Sequence, residues 1–241
     1  MTYCVGLLLE AGIVLLSDTR TNAGLDNIST YRKMFTFEEP GERVIAILTA
    51  GSLSVTQTTM ARLHEAAEDA EATPDSSVLL APTMLKVAEI VGNTLASVRQ
   101  DIEHKMNATK VSTAASMIVA GQRAGGAMRM FLIYPEGNFI EATTDTPFLQ
   151  IGEHKYGKPI LDRVVSRETS LADAQKAVLL SMDSTLRSNL SVGMPLDLAV
   201  IERDACRMSM IRRIEAGDKD FAAMSGAWSR ALRDAFSQIE L

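Results

Sequence analysis

The chain has 241 residues, a net charge of −6 and a hydrophobic content of 46%, enough apolar material for one cored domain with or without a terminal appendage. The acidic balance, with no Lys/Arg run beyond the pair Arg212-Arg213, argues against nucleic acid as a partner. No apolar stretch reaches the roughly 18 residues needed to cross a bilayer, and no basic, apolar leader opens the chain, so no membrane contact and a cytoplasmic location are expected.

Residues 7–9 and 13–16 are apolar runs about a turn at Glu10-Ala11-Gly12, the pattern of a β-hairpin. With the turn centred on Ala11 or Gly12, antiparallel pairing sets Thr2 opposite residues near about 18 to 21. Thr2 and Asp18 should therefore be neighbours. The next apolar and β-branched run, 28–37, is expected as a third strand beside the hairpin, bringing Lys33 to the same end. Once Met1 is removed, Thr2 opens the chain. A Thr hydroxyl is a weak nucleophile at its own pKa and needs a base, which the α-amine of the same residue can be. That amine titrates at about 7.7 to 8, and a Lys33 cation held by Asp18 would favour its neutral form. Taken singly, an Asp after a strand is an ordinary turn former and a Lys within one an ordinary solvated residue. Cys4 shares a strand face with Thr2 and reads as a small buried hydrophobe. Cys4 and Cys206 are the two cysteines and form neither a disulfide framework nor a metal-ligand spacing.

A short strand over 44–48 runs into Thr49-Ala50-Gly51-Ser52, and a helix over 52–72 follows, capped by Ser52 or Ser54. Gly51 thus sits at a strand-to-helix junction, where backbone N–H donors point outward and the helix dipole favours negative charge. After a loop at 73–77, Pro82 opens a longer helix with Leu85, Ala88, Val91, Leu95, Val98 and Ile102 on one face. A polar connection at 107–112 leads to a second hairpin, 115–120 with 128–134, and then to strands at 139–142 and 148–151. Two more helices are read from Tyr156, Ile160, Val164 and Val165 and from Leu171, Ala174, Ala177, Val178 and Met182, the latter capped by Ser170. Strands at 196–202 and 208–214 close the pattern. Strands, two helices, strands, two helices, strands fold most simply as two sheets between two helical layers, an α+β sandwich. Beyond Gly217 the tail is helical, with Phe221, Met224, Trp228, Leu232 and Phe236 on one stripe that must be buried, against its own subunit or another. The three histidines, His64, His104 and His154, share no i, i+4 spacing, and no Gly-rich phosphate loop is present. No cofactor and no metal are expected.

Thr2-x-x-Val5-Gly6, Ser17-Asp18-Thr19-Arg20, Lys33-Met34-Phe35 and Thr49-Ala50-Gly51-Ser52 together resemble the N-terminal-nucleophile hydrolases of the proteasome β-subunit and HslV type. The opening Met-Thr-Tyr-Cys-Val-Gly, Gln150-Ile151-Gly152-Glu153 and the run 181–189 are most similar to the bacterial branch called Anbu, the ancestral β subunit. The resemblance spans residues 2 to about 214. It implies a four-layer αββα sandwich over 1–214, with 215–241 as an added C-terminal helix, assigned here to subunit contact. It also implies Thr2 as nucleophile, Asp18 and Lys33 as its tuning pair and Gly51 N–H as oxyanion donor. Thr21, Met34 and Thr49 are expected to line a small, mildly apolar substrate pocket.

Two places depart from the family pattern. The serine usual beside the nucleophile is replaced by Gly152-Glu153-His154-Lys155, where Glu153 and Lys155 read as a salt-linked surface pair or a substitute. The segment 183–193 is longer than the family's closely spaced Asp and Ser, and Ser188 and Ser191 are its candidates for holding the amine. The implied activity is a threonine peptidase acting on a peptide or unfolded protein, as a homo-oligomer in a closed or open helical ring, with no unfoldase partner named by the sequence. A catalytically weak scaffold, or an amidase or transpeptidase for a small amide, are the rival readings.

Overall fold

The computed structural model describes residues 1–22, 28–106 and 112–240. β1 (Tyr3–Leu8) and β2 (Gly12–Asp18) form the expected hairpin, closed where Leu9 N–H donates to Gly12 O at 2.8 Å. Cys4 pairs with Ser17 and Leu8 with Ile13, a register that sets Thr2 across from Thr19, one residue beyond Asp18. Along the hairpin Cys4, Ile13 and Leu15 face one core, while Tyr3, Val5, Val14 and Leu16 face another. Strands apolar on both faces belong in the middle of a layered fold.

β3 (Arg20–Asn22) and β4 (Ile28–Thr30) form a small ribbon beyond the hairpin. β5 (Met34–Glu39) and β6 (Arg43–Gly51) begin a second sheet and lead into α1 (Leu53–Glu68) and α2 (Met84–Lys105). β7 (Ala115–Arg123), β8 (Arg129–Ile133) and β9 (Phe139–Glu141) complete that sheet in the antiparallel order β5-β6-β7-β8-β9. β10 (Phe148–Gly152) returns to the first sheet, followed by α3 (Lys158–Val164), α4 (Leu171–Ser188), β11 (Leu196–Glu202) and β12 (Met210–Ile214). The first sheet runs β10-β1-β2-β11-β12.

Val55, Leu63, Val87, Val91 and Leu95 bury the inner faces of α1 and α2 on the second sheet. Leu161, Ala174, Val178 and Met182 do the same for α3 and α4 on the first. Between the sheets lie Cys4, Leu15, Met34, Leu48, Ile118, Met130 and Ala199. The result is the four-layer αββα sandwich of the α+β class. Ser170 caps α4, accepting from Asp173 N–H at 3.1 Å. α2 is capped by Thr83, which accepts from Lys86 N–H at 3.1 Å, so Pro82 stands ahead of the cap and not within the helix. The polar connection expected at 107–112 falls, except for Ser112, outside the described residues.

The expected third strand is corrected. Residues 28–37 split into β4 and β5, and β5 joins β6 in the opposite sheet, Met34 pairing with Leu48. The hairpin's own neighbours are β10 and β11. Lys33 lies in the gap before β5, where its backbone O accepts from Thr49 N–H at 2.9 Å and its side chain is free to cross to the first sheet. Face-to-face packing, and not strand pairing, brings Lys33 to Asp18.

α5 (Lys219–Ser237) follows, capped by Asp218, which accepts from Phe221 N–H at 2.9 Å. Its first half leans on its own subunit: Phe221 packs into the α3/α4 core, and Arg187 donates to Ser225 Oγ at 2.7 Å. Its second half does not, leaving Leu232 and Phe236 at 50% and 78% exposure. Among the described residues no helix is long and apolar enough to cross a membrane.

Candidate active site

The start of the chain is clamped between β2 and β10. Thr2 is buried, and its carbonyl accepts from Glu153 N–H at 2.7 Å. Gly152 makes this approach feasible: it has φ +78°, and a Cβ there would collide with the Thr2 carbonyl. Gly152-Glu153 thus has a backbone role at the start of the chain. Glu153 and Lys155 form no ion pair; Lys155 Nζ lies over the Tyr156 ring at 5.1 Å.

Asp18 ends β2 fully buried and accepts three N–H donors. Lys33 Nζ at 2.7 Å and Tyr3 N–H at 3.1 Å reach Oδ1, and Gly193 N–H at 3.2 Å reaches Oδ2. Lys33 Nζ also donates to Arg20 O at 2.6 Å. Burial pushes the Asp18 carboxyl above its ordinary value, and the Lys33 ammonium and two backbone N–H groups pull it back. We take the ionised form at neutral pH, since every donor within reach favours it. A buried ion pair of this kind is weak evidence for stability, because desolvation offsets its attraction. Its value lies in where it sits.

It sits beside the chain's terminal amine. The Met1 side chain is exposed, while its amine is pushed below its ordinary value, first by burial and then by the Lys33 cation; Asp18 and Glu153 oppose. A lowered α-amine is a better proton acceptor at neutral pH.

Gly51 ends β6 at the same end of the fold. Cys4 Sγ donates to Thr49 O at 3.6 Å, which lays the start of β1 across the end of β6. Gly51 has φ +105°, and a Cβ there would strike the Ala114 carbonyl, so glycine is required by both angle and contact. Ser52 is the cap residue of α1 without a side-chain cap bond, its hydroxyl lying 3.2 Å from that of Ser54. The first-turn donors of α1 therefore carry no side-chain cap at this junction.

Of the three residues expected to line a substrate pocket, Thr21 lies half-buried on β3, and Thr49 is buried with Oγ1 donating to Lys33 O at 3.5 Å. Met34 lies elsewhere. Pairing with Leu48 turns it into the inter-sheet core, and Thr49, one residue on, faces the other side. Ser188 is the exposed last residue of α4, and Ser191 is half-buried beside Asn189, whose Oδ1 accepts from Ser191 N–H at 2.9 Å. Among the described residues neither hydroxyl bonds to Thr2, Asp18 or Lys33. The segment meets the site through the Gly193 backbone instead. Arg20 holds it in place, donating to Leu190 O at 2.9 Å with its guanidinium against Gly193.

A network behind Thr2 escaped the sequence reading. Tyr3 OH is 2.6 Å from Ser181 Oγ and accepts from Gln150 Nε2 at 2.6 Å, joining β1 to α4 and β10. Burial pushes the Tyr3 phenol up to about 12, against the two hydrogen bonds. No spacing signals this, since the three residues meet only after the sheet and α4 are packed. The Cys4 thiol is likewise pushed up, by burial first, and is no reactive group.

A family model described as proteasome subunit matches residues 2–201. A comparison with curated proteins returned no match. Among solved structures, the chain is similar to an Anbu (Gly-1) mutant from Hyphomicrobium sp. strain MC1, at 48% identity and a TM-score of 0.93, covering 100% of this chain and 99% of that one. It is similar to Anbu (ancestral beta-subunit) from Yersinia bercovieri, at 41% identity and a TM-score of 0.92, covering 99% and 98%. It is also similar to a structure described as the helical assembly of the Anbu complex from Pseudomonas aeruginosa, at 42% identity and a TM-score of 0.92, covering 99% and 97%.

Proposed function

The chain belongs to the proteasome subunit family, in its Anbu branch, and on that premise we propose that it is an N-terminal threonine hydrolase that cleaves peptide bonds as a cytoplasmic homo-oligomer. The observation that carries the reading is the buried Lys33–Asp18 pair at the start of the chain, where Tyr3 N–H, the backbone donor next to Thr2, reaches the same carboxylate oxygen as Lys33 Nζ. After Met1 is removed, as methionine aminopeptidases readily do before Thr, the Thr2 amine takes the proton of its own Oγ while Oγ bonds to the substrate carbonyl carbon. The carbonyl electron pair moves to oxygen, which faces Gly51 N–H; a donor of that kind is worth roughly 3 to 4 kcal/mol. The ammonium returns its proton to the leaving amine as the C–N bond breaks, and water then attacks the Thr2 ester with the same amine as base. Lys33 keeps that amine neutral between steps, and Asp18 keeps Lys33 in place. Thr21 and Thr49 serve as walls for the substrate's side chain. The substrate is a peptide or unfolded protein.

Residues 1–214 form the hydrolase domain and 215–241 a subunit-contact extension. The P. aeruginosa relative described as a helical assembly supports an open, helical arrangement of copies.

A second reading, a scaffold with a drifted site, is favoured by the placement of Ser188 and Ser191 away from the nucleophile and by the exposed stripe of α5. Intact mass decides first. The hydrolase reading expects loss of one methionine, covalent labelling by an epoxyketone or β-lactone, and no labelling of Thr2→Ala. Full retention of Met1 in native protein, or labelling that survives Thr2→Ala, would sink it and leave the scaffold.

A further inference from the structure

Tyr3, the residue after Thr2, is held at both ends. Its N–H donates to Asp18 Oδ1 at 3.1 Å. Its ring is fully buried in the core beneath α3 and α4, and its hydroxyl stands 2.6 Å from Ser181 Oγ on α4 while accepting from Gln150 Nε2 on β10 at 2.6 Å. Ser181 is fully buried as well. The Gly157 backbone packs directly on the pair, since a Cβ at that position would collide with both Ser181 Oγ and Tyr3 OH.

Strand register turns these contacts into a clamp. Tyr3 pairs with Gly152 and Val5 with Gln150, so Gln150 reaches Tyr3 diagonally, from two residues before the turn that receives the Thr2 carbonyl. The alternation that turns Tyr3 to α4 turns its neighbour Cys4 to the space between the sheets, the side that Thr2 shares. The Tyr3 hydroxyl therefore acts on Thr2 only through the backbone they share.

We propose that Tyr3 is a positioning residue for Thr2: its hydroxyl, pinned between Ser181 and Gln150, fixes the first residue of β1 and with it the place of Thr2 Oγ against Lys33, Asp18 and Gly51. This role rests on the hydrolase reading. Once Met1 is gone Thr2 is the end of the chain, and chain ends are poorly ordered unless tied down. The backbone ties it through Glu153 N–H on Thr2 O at 2.7 Å and Tyr3 N–H on Asp18. A packed ring alone has no directional hold, and the hydroxyl supplies one. A displacement of about 1 Å at a reacting atom costs roughly a hundredfold in rate, so this hold matters more to the reaction than to the fold.

Inactivation of the full-length protein by an epoxyketone, followed by intact mass, yields a maximal rate constant and a half-saturating concentration separately. Tyr3→Phe keeps the ring and leaves the substrate walls alone. It should lower the maximal rate constant about tenfold or more, with the half-saturating concentration within about twofold of the parent. Ser181→Ala should do the same, and the double variant should be no slower than Tyr3→Phe alone, because the two hydroxyls act as one unit. Val178→Ala loosens the same core without removing a member of the clamp, and its maximal rate constant should stay within about twofold of the parent. A parental rate in Tyr3→Phe, or slowing in Val178→Ala as large as in Tyr3→Phe, would overturn the role of Tyr3 and leave the hydrolase reading standing. Ser181→Ala carries the same decision if Tyr3→Phe fails to fold. A parent protein that is never labelled at Thr2 would overturn the hydrolase reading, and this role with it.

Discussion

Asp18 joins three separate parts of the chain: its carboxylate takes the Lys33 ammonium from the approach to β5, Tyr3 N–H from β1 and Gly193 N–H from the loop after α4. Removing one member of such a buried pair leaves the other charge uncompensated, whereas replacing both by neutral groups does not. Lys33→Met alone should therefore cost about 3 to 5 kcal/mol in urea unfolding, and Asp18→Asn with Lys33→Met should recover most of it. Labelling of Thr2 should be lost in both. If the double variant regained labelling along with stability, the pair would be structural only. Tyr3 gives a second prediction. Its phenol titrates at about 12 in the fold, against roughly 10 in the unfolded chain. The folded value is the higher, so the unfolded chain gives up its proton first as pH rises. The stabilisation is complete below pH of about 10 and is lost progressively up to about 12, amounting to roughly 3 kcal/mol. Tyr3→Phe should be less stable at neutral pH, because Ser181 and Gln150 lose a partner, but should show less alkaline loss between those values. An unchanged alkaline profile in Tyr3→Phe would show that another group governs it.

At the scale of elements, the turn between β10 and α3 holds the first residues of the chain, with Glu153 N–H donating to Thr2 O at 2.7 Å. Gly152 has φ +78° and lies against the Thr2 carbonyl, so Gly152→Ala adds left-handed strain and a backbone clash. A cost of about 2 kcal/mol or more is expected, with β1 displaced at its first residue and labelling of Thr2 lost before the fold is. Thermal unfolding and labelling measured side by side check this; normal labelling in a destabilised variant would separate the turn from the site. The same region shows what was legible from residues. The hairpin was legible because alternating faces and the turn at Glu10-Ala11-Gly12 specify a register, and that register carries Thr2 to Asp18. The partner of β5 was not, because an apolar run such as Met34-Phe35-Thr36-Phe37 fits the edge of either sheet and only packing chooses between them. The face that Met34 presents depends in the same way on pairing with Leu48, which no local pattern reveals. The contacts of Gly193, Ser181 and Gln150 join residues more than a hundred positions apart, beyond any periodic signal.

At the scale of the whole molecule, the described surface is unfinished along α5. The helix begins capped and anchored by Phe221, still lines a groove with Leu232, then carries Phe236 out into solvent. An amphipathic helix holding large apolar groups in water needs a partner, and the groove beside it, walled by Tyr156, Ile160, Val164 and Trp228, offers apolar surface of the same kind. A second copy of the chain is the partner consistent with the proposed assembly. Because Phe236 and Ile239 are 78% and 72% exposed in the subunit, Phe236→Asp with Ile239→Asp should leave its unfolding within about 0.5 kcal/mol of the parent. The effect should appear in sedimentation instead: the parent as a multimer at micromolar concentration, the double variant near the 26.1 kDa of one subunit. Labelling of the variant then separates two roles for assembly. If Thr2 still reacts in the single subunit, the site is complete within one chain and assembly serves to enclose it. If reaction is lost with assembly while the fold is intact, a neighbouring copy completes the site. A parent protein that sediments as one subunit would remove the homo-oligomer from the proposal altogether.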